Sequence, residues 1–272
     1  VKRDSQHKTK QKDILYHILL VAFAGVFLFA GFRLFMIYYN YGKAGNEYNS
    51  LKNVYITKEK PDQTQNKSAA GANSTSVNSY PDWKVDFTSL EKINGEIVGW
   101  VYMQACDISY PIVRATDNTY YLTHTFEKKV NSSGAIFMDS ENKPDFTDLN
   151  TFVYGHNMKN GSMFGKMKKL YKEKDLRKEN PFFYIFLPNH KVIQYEIFSY
   201  YITTDDSDSY VKSKTEKEYD EYVKRVEKKS LERIQTDMSG HSPIVTLSTC
   251  SGASGGDQRF LVHGVQTGYS KW

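Results

Sequence analysis

The segment Thr246-Leu-Ser-Thr-Cys250 sets a thiol at the end of a β-type run over 244–249, and Arg259 opens a second such run. Between them lies Ser251-Gly-Ala-Ser-Gly-Gly-Asp-Gln258, a small, polar stretch that reads as a flexible loop. A thiolate attacks carbonyl carbon, and a nearby imidazolium lowers the thiol pKa enough to supply it. A guanidinium keeps its proton and offers a planar fork of donors. Beside a thiolate, such a fork can hold a substrate carbonyl and stabilise the oxyanion that develops on it. Cys250 and Arg259 therefore suit covalent acyl chemistry, provided that a histidine reaches them from elsewhere in the chain.

Of the seven histidines, His7 and His17 fall in or beside an apolar N-terminal run, and His124 and His190 in loop-like sequence. His241 stands in a turn before Pro243, and His263 lies within an apolar strand, where a satisfied core role is usual. His156 differs. The run Thr151-Phe-Val-Tyr154 drives into it and Asn157-Met-Lys-Asn-Gly161 turns away, so its side chain is expected at a strand end, held yet accessible. Spacing alone singles out His156 as the candidate base without fixing it in that role. The other cysteine, Cys106, sits between two strand candidates with no histidine close by, and is expected to be a small, partly buried residue. Two cysteines without a CxxC pair give no zinc signal, and free thiols are expected rather than a lone disulfide.

The elements that must position these residues occupy the C-terminal two-thirds of the chain. Strand candidates fall at 97–103, 108–114, 134–138, 151–154, 182–187, 192–201, 244–249 and 260–265. Short strands with turn signals between them argue for a barrel or sandwich, and the 21 Tyr and 16 Phe suit such a structure. A short helix is expected over 86–93, with Asp86 or Thr88 as its N-cap. Two apolar stripes at helical spacing, Met163/Phe164/Met167/Leu170 and Tyr219/Tyr222/Val223/Val226, predict core-facing helices. The second stripe lies in the charged stretch 215–233.

The N-terminal region bears on location. No Asp, Glu, Lys or Arg interrupts the apolar run from Ile14 to Phe32, and Phe35, Tyr38, Tyr39 and Tyr41 follow it. Its length approaches the ~20 residues of a bilayer-spanning helix, and the aromatics suit an interfacial belt. A cleaved signal peptide would carry a shorter apolar core and a small-residue cleavage site. Lys2, Arg3, Lys8, Lys10 and Lys12 precede the run and predict a cytoplasmic N-terminus. The expected organisation is a basic cytoplasmic tail over 1–13, a single transmembrane anchor over 14–39, an extracellular stalk or linker over 40–79 and a folded domain over 80–272. Residues 40–56 can continue the helix past the bilayer, whereas 57–79 are too poor in large apolar residues to order themselves. The net charge of +5 is spread along the chain and does not argue for nucleic acid.

At Thr246-Leu-Ser-Thr-Cys250, Arg259 and His156 the chain resembles the sortases, membrane-anchored cysteine transpeptidases of Gram-positive bacteria. More narrowly it is similar to class B. The matching segments are Asn94-Gly-Glu-Ile-Val-Gly-Trp100, Ile108-Ser-Tyr-Pro-Ile-Val113, Asp117-Asn-Thr-Tyr-Tyr-Leu122, Gly134-Ala-Ile-Phe-Met-Asp139 and Tyr154-Gly-His-Asn-Met-Lys-Asn-Gly-Ser-Met-Phe164. The charged helix before the Cys strand is a further class B trait. The resemblance covers about 81–266 and implies a closed eight-stranded β-barrel with an N-terminal helical addition. It implies that Cys250 attacks the threonine carbonyl of a sorting motif, of NPxT type, in a secreted protein. His156 then protonates the leaving amine, and Arg259 positions the motif and stabilises the oxyanion. The acyl group passes to an amine on a peptidoglycan precursor or a pilin. Ser248, Thr249 and Tyr210 are implied to contact the peptide. No metal or organic cofactor is implied. Ser251-Gly252 stands where several class B members carry an acidic residue, so no role for a carboxylate transfers there. Two other readings remain: a cysteine endopeptidase releasing its acyl group to water, which would use the same residues, and a non-catalytic membrane-tethered scaffold, against which the intact Cys, His and Arg speak.

Overall fold

The structure is a computed structural model and describes residues 2–58, 80–250 and 256–272. Residues 59–79 of the expected stalk and Ser251 to Gly255 of the expected loop lie outside the described residues. The chain divides into two compact units, Val1–Lys43 and Ala44–Trp272. Helix α1 (Lys2–Tyr55) opens the chain. In the first unit it carries a window of mean hydropathy 2.3, none of it buried, so by length and composition it is apolar enough to cross a membrane. Phe23, Phe27 and Leu28 are exposed there.

The larger unit begins earlier than the boundary near Tyr80 that the sequence suggests. The last turns of α1 belong to it: Ala44, Tyr48 and Leu51 recur at i, i+4 and i+7 and are buried, which makes one apolar helix face. Strand β1 (Ile56–Lys58) then pairs antiparallel with β2 (Trp83–Val85). Trp83 stacks on Phe186 with ring centroids 4.1 Å apart, fixing this ribbon to the core. The polar composition of 44–58 hides these contacts, because three buried residues suffice to dock a helix by one face.

Helix α2 (Phe87–Ile93) starts at the expected cap, with the Asp86 carboxylate accepting from Ser89 N–H at 3.0 Å. The strands that follow are β3 (Ile97–Met103), β4 (Ile108–Val113), β5 (Ile136–Met138), β6 (Asn150–Tyr154), β7 (Phe182–Leu187), β8 (Lys191–Thr204), β9 (Ile244–Cys250) and β10 (Gln258–Lys271). They close into an eight-stranded barrel in the order β10-β8-β7-β3-β4-β5-β6-β9. Strands β3, β4 and β7 are nearly continuous apolar runs because their inner face fills the barrel and their outer face is covered, and β9 is buried likewise although Thr246, Ser248 and Thr249 interrupt it. Helix α5 (Glu216–Lys229) supplies one such cover. A capping box between Thr215 and Glu218 starts it, and Tyr219, Tyr222, Val223 and Val226 pack on Phe198, Tyr201, Leu261 and Val265.

The other expected helix is a correction. Over 163–170 the chain runs as turns, with helical geometry only in the single-turn α3 (Lys169–Lys172) and, further on, α4 (Leu176–Glu179). Gly161 and Met163 adopt left-handed backbone, at φ 78° and 55°. A Cβ at Gly165 would fall 2.6 Å from the Met158 carbonyl oxygen. Met163, Phe164, Met167 and Leu170 are nevertheless buried. The stripe reported burial correctly and conformation wrongly.

Candidate active site

Strand register brings the segments that carry the three singled-out residues side by side. Antiparallel pairing of β9 with β10 sets Cys250 opposite Arg259. Strand β6 lies parallel on the other side of β9, with Tyr154 opposite Ser248. That ladder continues one step past β6, since Gly155 N–H donates to Ser248 O at 3.1 Å. His156 follows two residues after Tyr154, and Cys250 two residues after its partner Ser248. His156 and Arg259 line one cleft with Ser248 and Thr249, the two residues that lead into Cys250.

Among the described residues, the hydrogen bond that orients the His156 ring is to backbone. Its Nε2 lies 2.7 Å from the Leu122 carbonyl oxygen. Against a carbonyl that nitrogen must be the donor, so Nδ1 is left to exchange a proton. The ring is half-buried and lies against Gly134, which has φ 58°. A Cβ at Gly134 would sit 2.4 Å from Tyr121 O and 3.1 Å from His156 Cδ2, so glycine is required there on both counts. Gly155 is equally confined: a Cβ would meet Ile136 Cδ1 at 2.4 Å.

Arg259 is held on β10. Its Nη2 donates to Asp205 Oδ2 at 2.7 Å, and its Nη1 to the carbonyls of Gly256 and Gln258 at 2.8 and 3.0 Å. Asp205 follows β8 directly and is tied across to β10 by Asp205 N–H donating to Asp257 O. The sequence reading passed over Asp205. No local signal marks it, because its proximity to Arg259 depends on the β8–β10 register.

Asn118, Leu122, Phe137, Tyr154, Gly155, His156, Ser248, Thr249 and Arg259 line a cleft of about 230 Å³. Ser248 and Thr249 are thus in the cleft. Tyr210 ends a 3₁₀ turn over Asp208–Tyr210, and its hydroxyl shares a hydrogen bond with Ser248 Oγ at 2.8 Å. Its ring stacks near Tyr154 and leans on Phe152. The turn is fastened to α5 by Lys229, which reaches Asp208, Ser207 and Ser209.

Behind the cleft sits Asp139, a residue with no assigned role in the sequence reading. Tyr154 donates its hydroxyl to Asp139 Oδ2 at 2.9 Å, Asn118 donates to the same oxygen at 3.1 Å, and Lys212 pairs with Oδ1 at 2.7 Å. Burial pushes its carboxyl pKa up, but the Lys212 ammonium, the Glu141 N–H and the Tyr154 hydroxyl outweigh it and hold the value below the usual range. An ionised Asp139 therefore anchors two cleft-lining side chains. A carboxylate closing an apolar run, as in Ile-Phe-Met-Asp139, is the signal that could have found it, since such a group is seldom buried unless paired.

Cys106 is fully buried and unpaired, and burial drives its thiol up to about 12. The enclosure is fuller than the partly buried place expected from the sequence. His263 is also fully buried, with Nδ1 near Thr246 Oγ1 and Tyr222 Oη, and burial lowers its pKa to about 3. It is a neutral core residue, but the satisfied role expected from the sequence holds only at Nδ1, since Nε2 has no hydrogen-bond partner among the described residues. No cluster of three or more metal-ligating side chains occurs among the described residues.

Comparison with known proteins agrees with this geometry. The Sortase domain family model matches residues 101–267. Sortase B of Listeria monocytogenes is 34% identical over 245 residues, covering 89% of this chain and 92% of that protein. The crystal structure of Bacillus anthracis sortase B in complex with AAEK1 superposes with a TM-score of 0.66 at 29% identity, over 85% of this chain and 99% of that one. Clostridium perfringens sortase B superposes with a TM-score of 0.61 at 33% identity, over 67% and 100%. With its closed eight-stranded barrel and these relatives, the chain belongs to the sortase family of transpeptidases, in class B.

Proposed function

We propose that this protein is a membrane-anchored cysteine transpeptidase with Cys250 as nucleophile, His156 as proton carrier and Arg259 as oxyanion and substrate holder. The observation that supports this reading is that His156 and Arg259 line one cleft while β9–β10 pairing sets Arg259 opposite Cys250. The Cys250 thiolate adds to the threonine carbonyl of an NPxT-like sorting motif. The tetrahedral intermediate collapses as the C–N bond breaks and His156 Nδ1 delivers a proton to the departing amine. The thioester is then attacked by an amine of a peptidoglycan precursor or a pilin, which gives a proton to His156 while the thiolate leaves. Arg259 holds the oxygen that gains charge in both steps, the role for which a planar fork of donors is suited. Ser248, Thr249 and Tyr210 contact the motif.

Residues 14–39 serve as the anchor, with the basic tail over 1–13 in the cytoplasm and the unit Ala44–Trp272 outside the membrane. The basic residues before the apolar segment support that orientation. The reading is tested by mass spectrometry of the full chain in detergent micelles with NPxT- and LPxT-type peptides and an amine. A peptidyl adduct on Cys250 and an amine-capped product are expected. Free acid as the sole product in excess amine would overturn transpeptidation in favour of hydrolysis.

A further inference from the structure

We propose that Tyr48, on the part of α1 that belongs to the larger unit, is a positioning residue for His156. It acts through the segments that lie on either side of the imidazole. The inference rests on the reading of His156 as proton carrier.

Tyr48 is 6% exposed. Its hydroxyl donates to Gly134 O at 2.7 Å and accepts from Phe126 N–H at 3.2 Å. Both partners belong to the stretch 120–135, which also supplies the Leu122 carbonyl that receives the His156 Nε2 proton. Gly134 itself lies against the imidazole. Glu47 fastens the same stretch, accepting from the Thr125 hydroxyl at 3.0 Å and Glu127 N–H at 3.1 Å.

On its other side Tyr48 meets Tyr110 edge to face, with centroids 5.3 Å apart, and the Tyr110 hydroxyl accepts from Met163 N–H at 3.0 Å. Met163 lies in the turn that leaves His156: Phe164 N–H donates to His156 O, and Asn157 bridges Met163. One side chain therefore bears on both segments that frame the ring. The Leu122 carbonyl is a main-chain group, so its aim depends on how its segment is pinned. The Tyr48 hydroxyl is the pin that joins Phe126 to Gly134 within that segment.

The test is Tyr48→Phe in the full chain in detergent micelles, which keeps the ring packing and removes the hydroxyl. With the peptide that acylates the wild type and an amine acceptor, kcat should fall about tenfold while KM stays within about twofold. That loss is a fraction of the ~10²–10⁴ contributed by a positioned acid–base group. The 15N resonances of the His156 ring should move from the Nε2–H tautomer toward a mixture. A purely structural tyrosine would lower the melting temperature and move neither readout, and unchanged kcat with unchanged ring resonances overturns the proposal. Should Tyr48→Phe fail to fold, Glu47→Gln must give the same loss in kcat alone. A wild type that forms no Cys250 adduct would instead refute the proposed function, and the ring resonances would still decide whether Tyr48 positions His156.

Discussion

Removing residues 1–79, where the sequence alone would cut, should cripple a domain that a cut before Ala44 leaves intact. The structure sets the magnitude. Tyr48 and Leu51 are buried at 6% and 2% exposure, and Ala44 at 3%. Burying a large apolar side chain is worth about 1.5–3 kcal/mol, and the hydroxyl bonds of Tyr48 add about 1 kcal/mol. Because unfolded chains already bury some surface, the lower end is appropriate, about 4 kcal/mol in all. The β1–β2 ladder would be lost as well, leaving Trp83 without its neighbouring strand. Against a total stability of about 5–15 kcal/mol this is a large fraction. For a domain of this size it corresponds to a drop in melting temperature of roughly 10 °C. Circular dichroism melts of chains beginning at residue 44 and at residue 80 would measure it directly. If the two melt within about 3 °C of each other, the docking of α1 contributes little and the reasoning fails.

Three further outcomes are expected. Cys250→Ala should abolish peptide turnover with no more than a small change in melting temperature, and an active variant would remove Cys250 as nucleophile. Arg259→Lys should lower kcat by about 10²–10³, the usual cost of a lost oxyanion donor, because an ammonium cannot reach Asp205, the loop carbonyls and a substrate oxygen with one fork; wild-type turnover would exclude the role. Asp139→Asn should destabilise by about 1–3 kcal/mol at pH 7, through the pair lost with Lys212. The folded-state carboxyl is held below its unfolded value, so its contribution is present above the unfolded pKa of about 3.9 and is lost as pH falls through the lower folded value. Urea unfolding between pH 7 and pH 3 should show the gap between wild type and variant closing at the acid end, and a constant gap would refute the linkage.

Much of this architecture is legible in the chain because local and tertiary preferences agree. Strands β3 and β7 begin and end where their apolar runs meet turn residues, and α5 starts at its capping box. Strands β8 and β10 outrun their expected ends because each continues for as long as the other is there to pair with it, through two register shifts that no single-strand pattern reveals. The stretch 163–170 misleads because its spacing reports which side chains are buried, whereas Gly161, Met163 and Gly165 dictate the path. At the site, Cys250, His156 and Arg259 stand out by residue type. Asp205, Asp139 and the Leu122 carbonyl do not, since their part depends on what the register sets beside them.

The strand order also fixes when the protein can first act. Without β9 and β10, the remaining strands form an open sheet whose two edges are β8 and β6. These edges expose unpaired backbone groups, the template that invites pairing with other chains. The hairpin that seals both edges is also the one that carries Cys250 and Arg259. The sealing of both edges and the meeting of Cys250 with Arg259 therefore belong to the same folding event. A chain that lacks β10 has Cys250 without Arg259 opposite it, so on the proposed reading the thiol gains its partner only as the barrel shuts.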